Sequence, residues 1–141
     1  MSKKLQDSII TLMKLTSETY FEFKYLGYDC AIMYNDIYHN GYVGITKVHP
    51  FYGLHYDNID IDVHGGLTYS EFGDDQCRKM LNDNGEQLYW IGFDCAHAGD
   101  FIEDPELDTF SYRKCNKSPQ YIINEIFNMV HQLKNVMLKK E

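Results

Sequence analysis

The sequence has few prolines, only three among 141 residues, and no low-complexity tract, which excludes a disordered or linker-like chain. No run approaches the roughly 18 apolar residues that a membrane-crossing helix needs. The opening Met-Ser-Lys-Lys-Leu-Gln-Asp turns polar before a signal-peptide core could form, so the expected location is the cytoplasm of the cell that makes it. Cys30, Cys77, Cys95 and Cys115 include no Cys-x-x-Cys pair, so the spacing supports no zinc finger and reduced, buried thiols are expected. Positive charge is almost missing from the middle. Residues 29–112 hold sixteen acids against Lys47, Arg78 and Lys79, whereas residues 113–141 hold six Lys/Arg against two Glu. That −13 centre repels a phosphate backbone and disfavours direct groove-tracking contact with DNA or RNA. It suits a cation or a basic protein surface instead.

What the chain does have is aromatic residues, with 12 Tyr and 8 Phe, enough for a packed core in one domain spanning 1–141. Leu5, Ile9, Leu12 and Met13 recur at helical spacing, and an N-terminal helix is expected over 1–26, ended by Gly27. Tyr28 to Asp36 reads as a strand, and Asn40-Gly41 reads as the tight turn of a hairpin. Ile59-Asp60-Ile61-Asp62-Val63-His64 alternates strictly, which predicts a strand with Ile59, Ile61 and Val63 on one face. Asp74 to Glu86 is a surface connection, Leu88 to Phe93 a buried strand, and 28–112 as a whole an acidic β-rich centre. Ser118-Pro119 opens a C-terminal helix over 118–139 with a broad apolar stripe from Ile122 to Met137. The expected fold is α+β: an N-terminal helix, a central antiparallel β-meander, and a long C-terminal helix packed on the sheet.

Two segments carry polar residues that surface patterning does not explain. They run from His49 to Ser70 and from Tyr89 to Asp100, and each places His, Asp and Gly where an apolar strand gives way to a loop. A metal reading groups His64, Asp94, His97 and Asp100 as ligands for zinc or another divalent ion, with Asp62 positioning a water. A binding reading needs no cofactor. It lines a pocket with His64, Tyr69, Trp90 and His97, and offers the backbone N–H groups of Gly65 and Gly66 to a phosphate neutralised by Arg113, Arg78, Lys79 or Lys114. A structural reading uses the same His and Asp side chains as packing residues and loop caps. No Gly-x-Ser-x-Gly elbow, metalloprotease, zinc-deaminase or phosphate-loop motif is present, so no catalytic residue is assigned. Tyr20-Phe21-Glu22-Phe23 and Tyr25 are also a candidate packing face for a second copy, giving a homodimer.

The blocks His49-Pro50-Phe51-Tyr52-Gly53, His64-Gly65-Gly66-Leu67-Thr68-Tyr69 and Gly92-Phe93-Asp94-Cys95-Ala96-His97-Ala98-Gly99-Asp100 resemble a family of small phage and prophage proteins with HPxYG, HGGLTY and GFDxxHxGD blocks. The likeness covers about residues 41–100 and leaves out both helices. It implies a phage setting, in which small accessory proteins are often inhibitors of host defence. The leading expectation is therefore a non-enzymatic anti-defence protein. It would either sequester a nucleotide-derived signal, such as a cyclic nucleotide, or block a defence effector such as a CRISPR nuclease through its acidic centre. The alternative is a divalent-metal hydrolase acting on a nucleotide or a nucleic-acid end.

Overall fold

The computed structural model describes residues 2–16, 20–34, 39–94 and 119–140. Helix α1 spans Ser2–Thr16 and is followed by strands β1 (Tyr20–Tyr25), β2 (Tyr28–Tyr34), β3 (His39–Ile45), β4 (Tyr69–Phe72) and β5 (Tyr89–Asp94), then by helix α2 (Pro119–Lys140). The five strands form one antiparallel sheet in the order β1-β2-β3-β5-β4, so the arrangement is α+β as expected. Among the described residues, no helix is long and apolar enough to cross a membrane.

Helix α2 covers one face of the sheet. Its Ile122, Ile123, Ile126, Met129, Val130 and Leu133 are all fully buried against Ile32, Val43, Ile91 and Phe93. Each such side chain contributes roughly 1.5–3 kcal/mol on burial. Helix α1 adds Ile9 and Ile10 to this core, and Gln6 ties it to α2 by donating to the Gln120 carbonyl (3.0 Å) and to Asn124 Oδ1 (2.9 Å).

Three local expectations are corrected. The N-terminal helix does not run to residue 26. It ends at Thr16, and Tyr20–Tyr25 is a strand whose Phe21, Phe23 and Tyr25 lean on the core while Glu22 and Lys24 face water, a period of two. Leu26 (φ 51°) and Gly27 (φ 83°) then make a two-residue hairpin turn, so Gly27 closes a hairpin and not a helix. Asn40-Gly41 is not a turn but the buried start of β3. Glycine is needed there because a Cβ on Gly41 would lie 2.6 Å from the Phe93 ring and 2.8 Å from Ile126 Cγ1, so α2 approaches the sheet closely at that point.

The third correction concerns Ile59 to His64, which alternates as read but joins no sheet. Ile59, Ile61 and Val63 are buried at 7–8% exposure, with Asp60 and Asp62 outside. The backbone polar groups that a neighbouring strand would have satisfied go to side chains of α2. Gln132 Oε1 accepts from Asp62 N (2.8 Å), Gln132 Nε2 donates to the Asp62 carbonyl (2.8 Å), and Glu125 Oε1 accepts from His64 N (2.7 Å). Gln132 and Glu125 stand seven residues apart, two turns along one helix face, and so meet alternate residues of an extended chain.

Candidate functional site

The opposite sheet face is built differently. Ala31, Tyr42, Leu88 and Trp90 form a small second core there, with Tyr20, Met33 and Tyr69 half-buried against it. The connection from Gly73 to Leu88 folds over this core as a cover. Trp90 Nε1 donates to the Lys79 carbonyl (3.0 Å), Gly73 N to the Leu88 carbonyl (3.1 Å) and Leu88 N to the Met80 carbonyl (2.8 Å). The acids of this connection shape it. Asp74 Oδ1 accepts from the N–H groups of Gln76 (2.9 Å) and Cys77 (3.1 Å), Asp75 Oδ1 accepts from Met80 N (2.7 Å), and Arg78 returns its carbonyl to the N–H groups of Asp74 and Asp75. The N–H groups of Cys77 and Gln76 hold the Asp74 carboxyl below its ordinary range.

This loop aims Arg78 back at the sheet. Its guanidinium lies 3.8 Å from the centroid of Tyr42 and 4.5 Å from that of Tyr69, and Nε donates to the Tyr69 hydroxyl (3.3 Å). Tyr42 and Tyr69 meet edge to face, 5.3 Å apart at 77°, and the absence of a side chain at Gly92 makes room for the Tyr42 ring. Arg78 is only 7% exposed, yet among the described residues no carboxylate lies within ion-pair distance of it. The nearby lysines are placed otherwise, Lys79 pairing with Asp29 at 2.8 Å and Lys24 pairing with Asp83. Burial pushes the Tyr42 and Tyr69 phenols above their ordinary range despite the pull of Arg78, so they stay neutral and supply no counter-charge.

Asn40 stands on the same face, two residues before Tyr42 and opposite Asp94 in the register. It is 7% exposed, and its Oδ1 accepts no hydrogen bond among the described residues. At the strand end, Asp94 Oδ2 accepts from Thr68 Oγ1 (3.0 Å).

The residues singled out from the sequence are divided between two surfaces. His64 is on the helix side, with its Nδ1 2.8 Å from the Tyr121 hydroxyl and its ring edge-on to Tyr121. Gly65 (φ 69°) and Gly66 (φ 82°) make the left-handed turn beyond it, and the Gly66 N–H donates to the Val63 carbonyl (2.9 Å). The Gly66 N–H is therefore engaged within the turn. Tyr69 is on the other surface with Arg78. Trp90 lies there too, but fully buried as a floor under the tyrosine layer and not as a ligand-stacking wall. Among the described residues, His64 and Tyr69 pack against different neighbours, His64 against Tyr121 and Glu125 of α2 and Tyr69 against Tyr42 and Arg78, while Asp94 bonds Thr68. Among the described residues, no group of three His, Cys, Asp or Glu converges to hold a metal ion. His97, Asp100, Arg113 and Lys114 lie outside the described residues.

Near His64 a shallow polar groove of about 460 Å³ runs along α2, lined by Asp62, Glu125, Asn128, His131 and Gln132 among others. Much of its hydrogen-bonding capacity is already used in strapping residues 59–64 to the helix. Tyr42 and Asn40 were missed from the sequence, Asn40 because Asn-Gly imitates a turn. The alternation of Asn40, Tyr42 and Gly44 against Gly41 and Val43 was the available signal. Comparison with known family models, curated proteins and solved structures gave no match, so the functional argument rests on this chain's own geometry.

Proposed function

We propose that this protein is a non-catalytic binding protein that sequesters an anionic, nucleotide-derived small molecule on the sheet face carrying Tyr42, Tyr69 and Arg78. The observation that carries the reading is Arg78, a permanently charged group largely withdrawn from water with two neutral tyrosines beside it and, among the described residues, no carboxylate within ion-pair distance, Asp74 acting on it only from farther off. A buried cation without a close ion pair is costly, and a phosphate that reaches its guanidinium converts that cost into charge-assisted hydrogen bonds. The acceptor of Asn40 on the same face, unpaired among the described residues, suits a ligand that also carries an N–H donor, as a nucleobase does.

The acidic surroundings repel a long phosphate polymer more strongly than a single small anionic group that approaches Arg78. Three exposed acids of the covering loop, Asp74, Asp75 and Asp83, are bonded within the chain, and these three are not held ready for a basic effector surface. Inhibition of host defence is the biological setting that the resembling phage blocks suggest for such a protein.

The test is calorimetric titration of the purified chain with a panel of cyclic dinucleotides, cyclic mononucleotides and ADP-ribose, followed by denaturation and mass analysis of the released compound. Saturable one-to-one binding with intact ligand recovered is expected. Absence of binding across the panel, or recovery of an altered compound, overturns the proposal.

A further inference from the structure

Strand β1 ends the sheet, and among the described residues its outer side pairs with no strand. It is six residues long with no proline, and its core-side residues Phe21, Phe23 and Tyr25 are only half-buried. Natural sheets blunt such an edge or use it. The two-residue turn closes on Tyr25 and Tyr28, which makes Tyr25–Tyr28, Phe23–Cys30 and Phe21–Ile32 the hydrogen-bonded pairs of the β1–β2 ladder. The N–H and C=O groups of Glu22 and Lys24 therefore point outward, and both side chains stand exposed on the face away from α2.

We propose that β1 pairs antiparallel with β1 of a second copy of this chain, about a two-fold axis at Phe23, to give a continuous ten-stranded sheet. Charge selects this register. Pairing centred on Glu22 sets glutamate opposite glutamate, and pairing centred on Lys24 sets lysine opposite lysine. Pairing centred on Phe23 sets each Glu22 opposite Lys24 of the second copy, twice by symmetry, and both positions carry outward backbone groups ready to exchange hydrogen bonds. Phe21 then lies opposite Tyr25 of the second copy and Phe23 opposite its own image, so the aromatic row continues across the junction. The strand that was read as a helix end thus supplies the self-complementary surface expected of a homodimer.

Sedimentation and light scattering on the full chain, with circular dichroism as a check on folding, test this. The wild-type chain is expected to run at about twice its 16.6 kDa mass. Glu22→Lys and Lys24→Glu each set like charges opposite one another and are expected to be monomeric. The double variant Glu22→Lys/Lys24→Glu restores complementarity and is expected to dimerise again, and mixing the two single variants is expected to give a heterodimer. Within the chain Lys24 also pairs with Asp83 and neighbours the buried Asp29 at 3.9 Å, and Glu22 accepts from the Tyr20 hydroxyl (2.8 Å), so if Lys24→Glu fails to fold, Glu22→Lys and the double variant carry the test. A wild-type chain that stays at one chain mass at all concentrations, a Glu22→Lys variant that remains dimeric, or a folded double variant that stays monomeric overturns the proposal.

Discussion

The two faces of the sheet are made from the same strands and follow opposite rules. Under α2 the centre of the contact is apolar side chains, with polar links such as Gln6 to Asn124 and His49 to the Leu133 carbonyl beside it, and the backbone of residues 62 and 64 is capped by Gln132 and Glu125. On the other side, a loop wound on its own aspartates covers a tryptophan and two tyrosines and sets a guanidinium over the tyrosine rings. The first face holds the fold together by burying apolar area. The second keeps a charged group out of water, which is a poor way to gain stability and a suitable way to hold an anion. Stability and binding are therefore expected to respond to different residues.

The sharpest way to break that contrast is a cavity under the helix. Ile126→Ala is expected to cost about 2–5 kcal/mol in unfolding free energy, read by chemical denaturation, while the folded fraction keeps wild-type ligand affinity. On the other face, Arg78→Met is expected to leave the denaturation midpoint unchanged or raised, because an apolar chain replaces a buried cation that has no close ion pair among the described residues. It should weaken nucleotide binding by about tenfold to a hundredfold, the loss of roughly 1.5–3 kcal/mol for a hydrogen bond to a charged group. If Arg78→Met destabilised the protein as much as Ile126→Ala, the division of labour would be wrong.

Smaller effects sharpen the boundary between the faces. Gln132→Ala removes both hydrogen bonds to Asp62 and is expected to cost about 1 kcal/mol, since the exposed groups can turn to water. Amide exchange should quicken at residues 59–64 and nowhere in β2 or β3. The smallest effect belongs to Asp74, whose carboxyl is held below its ordinary range in the fold by the Cys77 and Gln76 N–H groups. A depressed folded pKa gives stability that is present above the unfolded value, about 3.9, and is lost as pH falls through the folded one. Asp74→Asn is therefore expected to flatten the fall in the urea midpoint below about pH 4 while lowering it slightly at neutral pH.

The elements with long, regular patterns were legible. The apolar stripe from Ile122 to Leu133 marked α2, and Leu88 to Phe93 marked a buried strand, because burial on one or both faces leaves a period in the residues themselves. Short elements were not. Tyr20–Tyr25 follows so closely on α1 that its period of two was absorbed into the helix, and Asn40-Gly41 has turn chemistry yet sits in a strand because α2 leaves no room for a Cβ. Of the candidate site, Tyr69 and Arg78 were named from the sequence, whereas the different neighbours of His64 and Tyr69 were not readable there. Residues five apart in sequence face different surfaces once a glycine pair turns the chain between them.

The sequence by itself determined the α+β class, the acidic centre, and the alternation of Ile59, Ile61 and Val63, all of which depend on composition or on neighbours along the chain. Only the tertiary structure decided what that alternating segment pairs with, and it chose the amide and carboxylate of a helix over a strand. It also decided which of the few cations in the acidic centre is buried. Both outcomes depend on which distant groups arrive within about 3 Å, the range over which a hydrogen bond acts, and spacing along a chain carries no record of that.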